Sequence, residues 1–89
     1  MLPLNYAILK IFENAPEALC VYDVMDALKE QYGNFRAFKE SYVTEALMSG
    51  QFNGLLDEIA FEIDGNDNLR VYYRANEEGK KVIKRYIGG

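Results

Sequence analysis

Apolar positions at the start of the chain fall at helical spacing. Leu4, Ile8, Ile11, Phe12 and Ala15 recur at i, i+4, i+7, i+8 and i+11, the stripe of an amphipathic helix. Pro3 suits its first turn and Pro16 follows its end. Ala18-Leu19-Cys20 is a short apolar link able to add a minor strand to a later sheet. A second stripe, Val21, Val24, Met25, Leu28 and Tyr32, leaves Asp23, Asp26, Lys29 and Glu30 facing water, and Gly33-Asn34 is a stop signal. Phe35 to Lys39 forms a connection in which Phe35, Phe38 and Tyr42 are spaced to pack together. A third helix runs from about Phe38 to Phe52, with Val43, Ala46, Leu47 and Gly50 as its core face and Asn53-Gly54 as its left-handed stop. The period then changes. Ile59, Phe61 and Ile63 alternate with Ala60, Glu62 and Asp64, the pattern of a half-buried strand. Asp64 to Asn68 is dense in turn formers, and Leu69 to Ala75 resumes as a strand, so 59–75 forms a hairpin. Asn76 is a good cap for a fourth helix with Glu77 and Glu78 in its first turn and Lys84 and Arg85 in its last. Its apolar face is Val82, Ile83, Tyr86 and Ile87.

The order is helix, short strand, helix, helix, hairpin, helix. It predicts a mostly α, α+β winged helix: a three-helix core, a β-hairpin wing and a C-terminal helix, in one domain spanning 1–89. A hydrophobic fraction of 49% with 27% charged residues suits an ordered globular chain. One Cys and no His exclude a disulfide framework and disfavour zinc. No run approaches the ~20 apolar residues that cross a bilayer, and no basic flank with an apolar segment opens the chain. A cytoplasmic protein with no membrane role is therefore expected. Catalytic chemistry finds no support. Cys20 has no His to activate it, and no nucleophile accompanies Asp57, Glu58 and Glu62. Asp64-x-Asn66-x-Asn68 begins like a calcium loop, but Leu69 and Ala75 occupy the positions that need Gly and Glu. No enzyme, cofactor or metal is expected.

Two segments carry a family resemblance. Val43-x-x-Ala46-Leu47-x-x-Gly50-x-x-x-Gly54-Leu55-Leu56 resembles the "V-x-x-A-L-x-x-L-x-x-x-G-L-I" pattern of bacterial winged-helix regulators. Tyr72-Tyr73-Arg74-Ala75-Asn76-Glu77-Glu78-Gly79-Lys80-Lys81 is similar to the "Y-Y-x-L-T-E-x-G-K" segment that closes the wing in PadR-like and MarR-like families. The resemblance runs from about Leu4 to Ile87 and implies a DNA-binding transcriptional regulator, usually a homodimer. Two positions depart from the patterns. Gly50 stands where a large apolar residue is usual, which a close backbone approach or a kink would explain, and Asn76 replaces Thr as an equivalent cap.

In such a domain the third helix enters the major groove and the wing flanks it. Arg36, Lys39, Ser41 and Thr44 at the third helix, with Arg70 and Arg74 on the wing, are the candidate contacts to double-stranded DNA. The helix surface opposite the core also presents Glu40, Glu45 and Met48. Net charge is −4, divided as −8 over residues 1–69 and +4 over 70–89. Affinity for DNA comes largely from Lys and Arg neutralising phosphates. The acidic body and the generous aromatic count thus support an alternative, a winged-helix module that binds itself or another protein without DNA.

Overall fold

The computed structural model describes residues 1–88. Helices α1 (Leu4–Ile11), α2 (Val21–Tyr32) and α3 (Glu40–Phe52) are followed by the hairpin β1 (Leu56–Ile63) and β2 (Leu69–Ala75). A short helix α4 (Glu77–Ile83) then passes into a π-helical turn, Lys84–Gly88. The expected mostly α, α+β winged-helix order is present.

Local chemistry explains most of the helix ends. The Pro3 carbonyl accepts the Tyr6 and Ala7 amides at 3.0 and 2.9 Å, so Pro opens α1 at the place where its missing N–H costs nothing. The Asp23 carboxylate accepts the Cys20 amide at 3.0 Å and secures the first turn of α2. Gly33 stops α2, as expected, with right-handed backbone (φ −56°). Left-handed residues are instead Gly54 (φ 79°), after α3, and Asp67 (φ 62°), in the hairpin turn. Phe35 packs edge-on to the Tyr32 ring at 5.0 Å.

Leu4, Ile8 and Phe12 of α1 meet Val24, Leu28 and Tyr32 of α2 and Val43 and Leu47 of α3 in one core. Leu56, Tyr73 and Ala75 of the hairpin and Ile83 of α4 complete it. The Tyr32 hydroxyl, buried among them, donates to the Leu2 carbonyl at 2.7 Å. The strands are antiparallel, with Phe61 opposite Val71 and Ile63 opposite Leu69; a register shift between Glu58 and Ala60 makes Ile59 a bulge. Leu19 exchanges two backbone hydrogen bonds with Tyr73 at 2.8 and 2.9 Å, which is the expected minor strand.

Three expectations change. Ile59, Phe61 and Ile63 are 49%, 67% and 66% exposed, because within β1 only Leu56, at the base, is buried. Tyr86 is likewise exposed, so the last segment buries Ile83 and half-buries Val82 and Ile87 only. Gly50 faces the Leu56 and Leu9 side chains, 2.8 and 3.4 Å from where a Cβ would stand, and not another backbone. The close backbone approach falls at Gly79, where a Cβ would lie 2.0 Å from the Leu55 carbonyl oxygen.

Asn76 does more than the cap expected of it. Its Oδ1 accepts the Gly79 amide at 2.7 Å, while its Nδ2 donates to the Gly54 carbonyl and to Asp57 Oδ1 at 2.8 and 3.1 Å. A Thr hydroxyl has a single proton and could not make both donations. Among the described residues, no helix is long and apolar enough to cross a membrane.

Candidate nucleic-acid interface

Burial of Val43, Leu47 and Gly50 fixes the rotation of α3. Its outermost stripe is then Ser41, Glu45, Met48 and Phe52, spaced i, i+4, i+7 and i+11 and all exposed. Met48 is 56% and Phe52 91% exposed. Thr44 lies to one side, half-buried, and faces the hairpin across a groove with Glu40 and Gln51.

The N-terminal end of α3 gathers three of the expected residues. Arg36, Lys39 and Ser41 border one shallow hollow together with Tyr42 and Glu45. Lys39 is the cap residue in extended backbone (φ −134°, ψ 152°), so two cations flank the free amides of the first turn. That combination favours an anion, whether phosphate or carboxylate. Among the described residues, Arg36 and Lys39 form no salt bridge.

The hairpin treats its two arginines differently. Asp64 Oδ1 accepts the Asn66 and Asn68 amides at 2.8 and 3.1 Å, which holds its carboxyl below the ordinary carboxylate range and shapes the turn. Arg70 Nε lies 3.7 Å from Asp64 Oδ2, and the guanidinium sits 5.1 Å from the centre of the Tyr22 ring of α2. The Tyr22 hydroxyl in turn donates to Glu40 Oε1 at 3.0 Å, and that hydrogen bond raises its pKa. Arg70 is therefore half-buried and turned toward α2, linking the hairpin to the first turn of α3. Arg74 is exposed at the hairpin base, opposite Asp57.

Three helices, a minor strand, a two-stranded wing and a closing helix match two solved structures closely. Bacillus subtilis PadR, in complex with operator DNA, superposes with a TM-score of 0.72 and 25% identity, covering 94% of this chain and 47% of that one. A PadR-like transcriptional regulator from Bacillus cereus gives a TM-score of 0.66 at 20% identity, over 92% of this chain and 75% of that one. The fold is a PadR-like winged helix. The chain thus spans about half the length (47%) of the Bacillus subtilis protein. No family model and no curated protein matches the sequence.

Within this PadR-like winged helix the six expected residues do not form one surface. Arg36, Lys39 and Ser41 are together, Thr44 belongs to the groove beside the wing, Arg70 is engaged with Tyr22 and Asp64, and Arg74 stands apart. Sequence reasoning missed Phe52 as part of the outer stripe, although its spacing of four from Met48 was the available signal. The groove between Glu40 and the wing was also missed. It joins residues up to 52 positions apart, Val21 to Tyr73, and no local pattern marks such a pairing.

Proposed function

We propose that this chain is a DNA-binding protein and not an enzyme, a single winged-helix domain acting as a homodimeric transcriptional regulator in the cytoplasm. The observation that carries the reading is the likeness, over 94% of the chain, to a PadR solved with operator DNA. In this reading α3 (about 38–52) addresses the major groove and the wing (59–75) flanks it. Arg36 and Lys39 at the start of α3 contact phosphate, Ser41 and Thr44 meet base edges or phosphate, and Arg74 adds a backbone contact from the wing. Arg70 contributes by holding the wing against α2.

The test is fluorescence anisotropy of a labelled mixed-sequence duplex, titrated with protein at low and at higher salt. Non-specific binding in the range of about 10⁻⁴–10⁻⁶ M at physiological salt, tightening as salt falls, supports the reading. A flat trace at low salt overturns it. Sedimentation over a range of concentrations tests the homodimer, and a constant monomer mass removes it.

One observation favours a second reading, a protein-binding winged helix without DNA. The outer stripe of α3 mixes Glu45 with exposed Met48 and Phe52, and Phe61, Ile63 and Leu69 are exposed on the wing. Apolar side chains gathered in this way suit a protein partner. Carboxylates on the surface that faces DNA oppose phosphate binding.

A further inference from the structure

Between α3, the start of α2 and the wing lies a groove of about 500 Å³, inside the span of about 300–1,000 Å³ usual for small-molecule sites. Val21 and Tyr22 of α2, Leu47 and Met48 of α3, and Leu69 and Val71 of β2 form its walls. Its ionisable polar groups include two carboxylates, Glu40 on α3 and Glu58 on β1, with Thr44 and Gln51 as neutral neighbours. Both glutamates are exposed at the rim, so their charges remain where a ligand can meet them. Glu40 accepts from Tyr22, and Gln51 Nε2 donates to Glu58 Oε2 at 3.4 Å, so each carboxylate is held by a donor from a neighbouring element. No Lys or Arg side chain lines the groove among the described residues. The nearby cation, Arg70, lies over the Tyr22 ring and pairs with Asp64.

We infer that this groove binds an organic cation with a flat or branched apolar body, seated against Leu47, Met48, Leu69 and Val71 with its charge in the field of the Glu40 and Glu58 carboxylates at the rim. The apolar walls supply burial and the two carboxylates supply attraction. An organic anion meets the same walls with the wrong sign of field. Because the walls are α3 and the wing, a bound cation would fix the angle between them. That consequence rests on the DNA reading, whereas the binding itself does not.

The test uses the full chain and no DNA, so its failure and that of the DNA reading are distinguishable. Methyl-group NMR spectra are titrated with (2-naphthylmethyl)trimethylammonium and, separately, with 2-naphthylacetate. The expected result is saturable shifts at the Val21, Leu47, Leu69 and Val71 methyls and at the Met48 methyl with the cation, and at least about tenfold weaker binding of the anion. Glu40→Gln combined with Glu58→Gln should weaken the cation about tenfold, the scale of a charge-assisted contact, while Glu30→Gln on the far part of α2 leaves it unchanged. Equal affinity for cation and anion on the native chain, shifts that avoid these methyls, or indifference to the double substitution would each overturn the proposal.

Discussion

Gly79 and Asn76 show how much one position can decide. An added Cβ at Gly79 would sit 2.0 Å from the Leu55 carbonyl oxygen, which is backbone and cannot step aside. Gly79→Ala should therefore cost more than about 3 kcal/mol in urea denaturation, since it forces α4 off the α3–β1 connection. Gly50→Ala meets the buried Leu56 side chain at Cδ1 and Cγ and the Leu9 side chain but no backbone, and regains about 1 kcal/mol of helix propensity, so its net cost should stay well below that of Gly79→Ala. Asn76→Ala removes a cap and two tertiary donations, and the same measurement should show a loss of about 1–2 kcal/mol. Asp64 gives a pH prediction. Its folded pKa is depressed by the Asn66 and Asn68 amides, so its contribution to the turn is present above the ordinary carboxylate value and lost as pH falls through the lower folded value. The amide resonances of Asn66 and Asn68 should move together in an acid titration, with a midpoint below that of a free Asp.

At the scale of elements, the wing is tied to the helices at its base and through Arg70. The base is buried through Leu56, Tyr73 and Ala75, whereas Phe61, Ile63 and Leu69 are exposed. Arg70→Ala should leave global stability nearly unchanged, because the side chain is half-buried and its Asp64 contact is long at 3.7 Å. Hydrogen exchange of the amides in 62–70 should nevertheless quicken, as the bridge from wing to Tyr22 is lost. Unchanged exchange would show that the base alone positions the wing. The start of α3 behaves differently, since Arg36 and Lys39 are exposed cations beside a helix N-terminus. Replacing both by Ala should lower the salt dependence of DNA binding by about two phosphate contacts, read from the slope of log K against log salt.

Across the whole molecule, charge and apolar surface set competing demands. A net charge of −4 opposes DNA, so the proposed binding must rest on local cations and on the +4 balance after residue 69. The exposed apolar side chains of α3 and the wing meanwhile offer a second kind of contact. Within one chain, Met48 and Leu69 stand on opposite walls of the same groove, so wing and helix share an apolar surface that neither has alone.

The helices, the hairpin and the core were legible from the sequence because they follow from local periodicity. The stripes through Ile8, Val24 and Val43 and the switch to alternation near Ile59 need no tertiary information. The left-handed stop at Gly54 was legible for the same reason, since backbone sterics act within one or two residues. Tertiary structure decided what depends on distant segments meeting. Alternation at Ile59, Phe61 and Ile63 identified a strand but could not say whether anything covers it, and all three are exposed. Arg70 looked like a free wing cation until Tyr22, 48 residues earlier, came to lie beneath it. Gly79 matched a motif, yet its reason is the Leu55 carbonyl from another element. Local sterics and amphipathicity are written in spacing, whereas exposure, charge pairing and grooves exist only once the elements are placed.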